Sequence, residues 1–135
     1  MKILLDTHIV IWALFDNPLL SSKAKELIMD SKNNDVFYSI ISLLEIEVKR
    51  TAHPNKFKVS AKEVVKYCED SDFTLLQLKP SAIDLLSTLE RPENAAPHKD
   101  PFDKMLICQS LDENMTFITH DKLIGDYNLQ NIIVV

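Results

Sequence analysis

The chain has 135 residues, of which 46% are hydrophobic and 26% are charged, and it carries a formal net charge of -5 at pH 7. This length supports one domain with a substantial core and is too short for two, so we expect a single domain over residues 1–135. A single glycine excludes the glycine-rich loops that hold nucleotide phosphates, and the acidic balance gives no general indication of a nucleic-acid partner.

The sequence offers no sign of export. No apolar run is long enough to span a membrane, and Asp6 and His8 interrupt the first apolar stretch, which is unlike a signal peptide. Cys68 and Cys108 lie in helical patterns with apolar neighbours, where reduced and buried thiols are expected. We therefore expect a cytoplasmic protein that has no membrane partner.

Strands and helices alternate in the predicted secondary structure. The predicted elements, by residue number, are a strand at 1–5 and the helix after it, a helix at 21–31, a strand at 36–39, helices at 42–52 and 60–70, a strand at 74–78, a helix at 81–90, a loop at 91–99, a helix that begins at 101, and strands at 115–119 and 132–135. This order predicts an α/β fold of three layers, α/β/α, with a mainly parallel central sheet.

An acid on the first turn of the helix at 101 is the strongest functional signal. Asp100 suits the N-cap and Pro101 the first helical position, so Asp103 takes the third. Asp103 can simply close a capping box and favour the positive end of the helix dipole. However, it shares its face with Leu106 and Ile107 on a helix that is apolar nearly all round. A carboxylate in this setting needs a partner from elsewhere in the chain.

Two further acids follow predicted strands. Asp6 comes directly after the strand at 1–5, and Asp121 comes shortly after the strand at 115–119. Asp6 is equally well explained as the N-cap of the next helix. In open parallel sheets, however, ligands bind at the carboxyl ends of the strands. We therefore expect both acids to lie along that edge of the sheet.

Glu45 is the fourth candidate acid. On a helical wheel it lies with Ile41, Leu44 and Val48, whereas Glu47 lies on the far side. The alternative is a solvated pair between Glu45 and Lys49 at i, i+4, worth only ~0.3 to 0.5 kcal/mol. Because the opposite face of this helix is also apolar, we predict that Glu45 points inward.

These acids together predict a metal site. Asp6, Glu45, Asp103 and Asp121 are expected at one edge of the sheet, where crowding and burial would raise their pKa values unless protons or cations neutralise them. Oxygen ligands of this kind select Mg²⁺ or Mn²⁺, which can activate a water for attack on a phosphodiester. Basic side chains near this edge are either a rim for a nucleic-acid backbone or an ordinary solvated surface. They are Lys49, Arg50, Lys56, Lys58, Lys62 and Lys66.

Three other interpretations of the same residues remain open. His8, His98 and His120 each lie near a candidate acid, but their spacing matches no compact zinc motif. A phosphatase with Asp6 as its nucleophile would need a second aspartate where His8 stands. The third alternative is a binding module that keeps the fold without catalysis, although intact acids at all four positions argue against it.

Several short motifs carry a family resemblance. They are residues 4–8, Trp12, Ser39, Ser42, Glu45, Ile46, Lys49, the block at 98–103, and residues 119–121. In this order and spacing the chain resembles a PIN domain and, more narrowly, the VapC-type ribonuclease toxins of bacterial toxin-antitoxin pairs. The resemblance covers essentially the whole chain. Leu44 and Asn55 depart from it, because relatives often have tryptophan and glycine there, and both departures concern the surface after the predicted third helix.

The resemblance implies a function and a set of site residues. It implies an endoribonuclease that uses Mg²⁺ or Mn²⁺, forms a homodimer and is silenced by a cognate antitoxin. The acidic quartet would be Asp6, Glu45, Asp103 and Asp121, with Asp6 and Asp103 as direct metal ligands. Thr7 and Ser39 match supporting polar positions, and Asp100 serves as a cap and as a further acid near the metal.

Overall fold

The computed structural model describes all residues from 1 to 135 and contains five strands, seven α-helices and one short 3-10 helix. In chain order these are β1 (Lys2–Leu5), α1 (Thr7–Leu14), α2 (Ser22–Met29), β2 (Asp35–Ser39), α3 (Ile40–Ala52), α4 (Ala61–Asp70), β3 (Thr74–Leu76), α5 (Pro80–Asp84), the 3-10 helix (Leu85–Thr88), α6 (Pro101–Asp112), β4 (Thr116–Thr119), α7 (Lys122–Gly125) and β5 (Ile132–Val134).

The five strands form one sheet in the order β3-β2-β1-β4-β5, and all neighbouring strands are parallel. β1 is central, with Leu4 in register with Phe37 of β2 on one side and Phe117 of β4 on the other. Ile3, Leu4 and Leu5 have no exposed surface, as expected for a parallel strand covered on both faces. The predicted parallel α/β architecture is confirmed.

Alternating side chains of β1 divide the core into two parts. Ile3 and Leu5 belong to a cluster with apolar side chains of α1, α2, α3 and α4, whereas Leu4 belongs to a cluster with those of α6 and α7. The sheet therefore lies between two helical layers. Cys68 and Cys108 are buried free thiols, in agreement with the sequence.

The structure corrects two details of the predicted helices. α3 begins at Ile40 rather than after Ser42, because Ser39 is its cap and accepts a hydrogen bond from the Ile41 amide. The single helix predicted at 81–90 is instead α5, which has Pro80 in its first turn, followed by the 3-10 helix. Apolar spacing of three and four residues does not distinguish a continuous α-helix from these two shorter pieces.

The strand order determines where a ligand can bind. The chain runs from β1 to β2 and β3 on one side of the sheet and returns to β4 and β5 on the other side. At such a reversal the helices diverge and leave a crevice outside the carboxyl ends of the strands. Asp6 directly follows β1 and Asp121 lies two residues after β4. No helix combines the length and apolar character needed to cross a bilayer.

Candidate metal centre

A cleft of about 570 Å³ lies at the carboxyl ends of β1 and β4. Its wall contains the four predicted acids together with Asp100, so five carboxyl groups from four parts of the chain face one space. The complete lining consists of Asp6, His8, Trp12, Glu45, Lys49, Asp100, Asp103, His120, Asp121 and Lys122. The predicted convergence of acids at this edge is therefore what the structure shows.

Asp6 is held by hydrogen bonds to both carboxylate oxygens. It is the N-cap of α1, where Oδ1 accepts from the Thr7 amide at 2.8 Å, and Oδ2 accepts from the Thr119 hydroxyl at 2.7 Å. Only 4% of the residue is exposed. Burial raises the pKa of Asp6, although these two hydrogen bonds act in the opposite direction. The cap and the cleft acid are thus the same side chain.

Glu45 points inward from α3, with only 2% of its surface exposed. Its Oε2 accepts from Nζ of Lys49 at 2.5 Å, whereas its Oε1 is buried and has no hydrogen-bond partner. A buried acceptor without a partner costs roughly 1 to 3 kcal/mol, and more when it is charged. This free oxygen is therefore a strong indication that the cleft accepts a further donor or a cation.

Lys49 is the cation that the cleft itself provides. Burial lowers the pKa of its amine, but the hydrogen bond to Glu45 and the charges of Glu45, Asp100 and Asp103 outweigh this effect and raise it. Lys49 therefore stays charged and offsets one carboxylate. The cleft still contains more acidic than basic groups, because Lys122 is its only other lysine or arginine.

Asp100 and Asp103 enter the cleft from the start of α6. Asp100 is the N-cap, and its Oδ1 accepts from the amides of Phe102 and Asp103 at 2.9 and 3.2 Å. Burial and, after it, the charges of neighbouring acids together raise the pKa of Asp103 to about 8; these acids are Asp6, Asp100, Glu45 and Asp121. Asp103 is therefore protonated at neutral pH unless a cation takes the place of the proton.

A buried side-chain relay lies behind Asp103. Nε2 of His98 and Oδ2 of Asp103 are hydrogen-bonded at 3.1 Å, and Nδ1 of His98 and the Tyr127 hydroxyl are hydrogen-bonded at 2.7 Å. The Arg91 guanidinium lies 4.7 Å from the centre of the Tyr127 ring. Burial, followed by the charge of Arg91, lowers the pKa of His98, which is therefore neutral at pH 7. The sequence analysis placed His98 near an acid but identified neither Tyr127 nor Arg91.

Thr119 connects the ends of the two central strands. Its hydroxyl donates to Asp6 and accepts from the Asp121 amide at 3.0 Å. Asp121 is in turn the N-cap of α7, a helix that the sequence analysis missed, and its Oδ1 accepts from the Leu123 amide at 2.9 Å. The sequence analysis included Thr119 in the motif at residues 119–121 but did not predict its contact with Asp6.

Two groups of three side chains each have their ligand atoms close enough together to hold a metal ion. Ligand atoms of Glu45, Asp100 and Asp103 lie within 4.8 Å of one another, and so do those of His98, Asp103 and Asp121. Asp103 is common to both groups, whereas Asp6 is in neither. This site fits a hard divalent cation, because its donors are mostly oxygen atoms, one buried Glu45 oxygen is free and the acids carry unneutralised charge.

The supporting and basic residues named from the sequence divide into two sets. Thr7 adjoins the cleft and donates from its hydroxyl to Ser42 at 2.8 Å, and Lys49 lines the cleft. Ser39, Arg50 and Lys56 do not line it. The Ser39 hydroxyl donates to Gln109, Arg50 pairs with Glu47 at 3.1 Å, and Lys56 is exposed after α3. Contact of these basic residues with RNA stays a prediction.

His8 and His120 form part of an aromatic wall. The Trp12 ring centre lies 5.9 Å from that of His8 and 5.1 Å from that of His120. His120 also has Nδ1 3.0 Å from the Val135 carbonyl oxygen. Neither histidine belongs to a group of three possible metal ligands, so the structure offers no support for a zinc site built from these two rings.

Comparison with known proteins identifies the family. The sequence model of the PIN domain matches residues 3–128. The fold is similar to a structure of VapBC2 from Rickettsia felis bound to a promoter DNA fragment, with a TM-score of 0.68, 20% identity, and coverage of 100% of this chain and 98% of that chain. It is also similar to VapBC-1 from nontypeable Haemophilus influenzae, with a TM-score of 0.62, 18% identity, and coverage of 99% and 98%.

The comparison with curated protein sequences finds no match. The two structural similarities concern the fold, because sequence identity is low. The family match extends over nearly the whole chain and includes every acid of the cleft. The chain therefore belongs to the PIN domain family.

Proposed function

We propose that this PIN domain is an endoribonuclease that requires Mg²⁺ or Mn²⁺. The observation that carries the proposal is the crowding of five carboxyl groups in one cleft, with one buried Glu45 oxygen that has no partner. Hydrogen bonding normally satisfies buried polar atoms, so an unpaired carboxylate oxygen among four other acids favours a bound donor or cation. A divalent cation would neutralise the acids and provide the missing partner.

The ion would be held chiefly by Asp103, which belongs to both close groups of ligand atoms. Glu45, Asp100, Asp121 and Asp6 are the other proposed oxygen ligands, of which Asp6 lies in the same cleft but outside both close groups. When bound, Mg²⁺ or Mn²⁺ supplies a water of lowered pKa and offsets charge on the phosphate that is attacked.

The protein's own residues prepare this site. Thr119 and the Thr7 amide fix the orientation of the Asp6 carboxylate, and His98 fixes that of Asp103. Lys49 keeps one Glu45 oxygen neutralised while leaving the other free. Because these contacts exist before substrate arrives, little reorganisation is needed when it binds.

The first experiment measures cleavage of labelled single-stranded RNA. We expect cleavage in Mg²⁺ or Mn²⁺ and none in EDTA, and we expect Asp6→Asn and Asp103→Asn to reduce the rate at least about 100-fold, since even residues behind the ligands contribute 10- to 100-fold. Asp84→Asn is the matched control, because it removes the same charge from an exposed residue outside the cleft. A folded wild type without metal-dependent cleavage would refute the proposal.

We further propose that the chain is the toxin of a toxin-antitoxin pair, works in the cytoplasm as a homodimer, and binds a cognate antitoxin. The structural neighbours described as VapBC assemblies support this, and so do the half-exposed apolar side chains of Leu44 and Val48, which suit a protein partner. Expression in bacteria should arrest growth, and Asp103→Asn should not. Light scattering should give twice the 15.5 kDa mass of one chain.

A further inference from the structure

A second cleft of about 400 Å³ lies next to the acidic one and has the opposite charge. Three basic side chains line it, with no acidic residue among them. Its complete lining consists of Leu86, Leu89, Arg91, His98, Lys99, Pro101, Lys104 and Tyr127. A basic cleft of this kind is unexpected in a chain whose net charge is -5.

Lys99 and Lys104 have charges that are free to bind a ligand. Neither takes part in any ion pair of the structure. Arg91, in contrast, is fixed by hydrogen bonds to the carbonyl oxygens of Ala96 and Leu123 and lies 3.5 Å from Asp126. The cleft therefore combines one anchored cation with two uncommitted ones.

The two clefts share a wall. His98 lines the basic cleft and Asp103 lines the acidic one, and the 3.1 Å contact between these side chains separates them. Along the chain, Lys99 immediately precedes Asp100, and Lys104 immediately follows Asp103. A polymer that crosses this wall would meet the acids and the lysines in succession.

We propose that the basic cleft holds the nucleotide next to the bond that is cut, with its phosphate on Lys99 and Lys104 and its base against Leu86 and Leu89. This inference rests on the proposed nuclease function. An RNA strand fits because its phosphates recur at each nucleotide, so a phosphodiester in the acidic cleft brings the next phosphate to the lysines. The volume is that of a small-ligand pocket, and its leucines and Pro101 supply an apolar surface for a base.

The test measures binding of a fluorescent single-stranded RNA by anisotropy over a range of salt concentrations. EDTA is present so that no metal-dependent cleavage occurs. Removal of two phosphate contacts by the double variant Lys99→Gln, Lys104→Gln should weaken binding. It should also make the slope of log K against log salt shallower by about 1.4, at about 0.7 per contact for single strands.

Two further variants separate the cleft from general charge effects. Lys2→Gln, Lys32→Gln removes the same charge at the opposite edge of the sheet, where β1 begins and just before β2, and should keep the wild-type slope. Lys99→Arg, Lys104→Arg should also keep it, because the positive charges remain. The proposal would be overturned if the slope of log K against log salt were the same for the two double glutamine variants, at Lys99 and Lys104 and at Lys2 and Lys32.

A competitor tests whether the cleft recognises a nucleotide or any polyanion. Polyglutamate of the same charge should displace the RNA more weakly than unlabelled RNA does, and equal competition would overturn the assignment to a nucleotide. Failure of the nuclease proposal would be separate, since it would appear as absent cleavage in Mg²⁺ and Mn²⁺. Cleavage by the wild type without any slope difference would overturn the basic subsite alone.

Discussion

Two buried polar regions of this protein differ in how their polar atoms are satisfied. Inside the molecule, Ser39 and Gln109 are buried and bonded to each other, and Gln109 Nε2 donates to the Gln77 carbonyl oxygen at 3.4 Å. In the acidic cleft, one Glu45 oxygen is unpaired, and burial together with neighbouring acids raises the pKa of Asp103. Satisfied polar atoms stabilise a fold, whereas unsatisfied like charges indicate a site kept for a ligand.

The largest expected effect is a difference in stabilisation by metal. Mn²⁺ at 100 times its Kd should raise the free energy of unfolding of the wild type by about 2.7 kcal/mol, because only the folded protein assembles the ligands. Asp103→Asn should lose most of this gain, yet be as stable as the wild type or more so in EDTA, because asparagine needs neither a proton nor a cation to occupy this crowded position. Thermal unfolding with and without Mn²⁺ measures both quantities.

Gln109→Ala should have the reverse effect of Asp103→Asn: it should lower the stability of the fold and leave stabilisation by Mn²⁺ unchanged. It leaves the buried Ser39 hydroxyl without its acceptor and creates a cavity, so the free energy of unfolding should fall by at least about 1 to 3 kcal/mol. Gln109→Met keeps most of the volume and isolates the hydrogen bond. Both variants should retain stabilisation by Mn²⁺, measured in the same unfolding experiment. Loss of metal binding in Gln109→Met would contradict the separation of the two regions.

The acidic cleft should also make stability depend on pH. The pKa of Asp103 is raised from 3.8 to about 8, so between these values the unfolded chain loses a proton that the folded protein keeps. The stability of the wild type relative to Asp103→Asn should therefore fall as pH rises from about 4 to 8 in EDTA. Urea unfolding at several pH values measures this difference, and saturating Mn²⁺ should abolish the decline. If the stability difference between the wild type and Asp103→Asn does not change with pH, the pKa of Asp103 is not raised.

The smallest effect is expected at Tyr127, which acts on the cleft only through His98. Tyr127→Phe removes the hydroxyl that is bonded to His98 and should cost about 0.5 to 1.5 kcal/mol of stability. If the relay positions Asp103, calorimetry should also show weaker Mn²⁺ binding, by about tenfold. Phe117→Leu is a control of comparable burial in the same apolar cluster, and it should leave Mn²⁺ affinity unchanged. Equal Mn²⁺ affinity in Tyr127→Phe and the wild type would refute the positioning role.

Local sequence patterns correctly predicted the features that depend on interactions between neighbouring residues in the chain. Asp100 caps α6, Pro101 begins it and Asp103 occupies its third position, as predicted. The inward orientation of Glu45 is also confirmed by its burial. Of the neighbours predicted on the same face, Ile41 is buried, whereas Leu44 and Val48 are half exposed. A helical wheel ranks faces by apolarity and does not show which face the sheet covers.

The sequence by itself determined the order of the strands and of the longer helices, the cap of α6, and the acids that stand at the ends of strands, but not α7. Only the tertiary structure decided that Thr119 donates to Asp6, that His98 contacts Asp103, and that the predicted pair of Glu45 and Lys49 lies in the cleft. The physical reason is that capping and periodicity act over a few residues. The neighbours of a buried carboxylate, in contrast, depend on β1 lying between β2 and β4, and no local pattern specifies that arrangement.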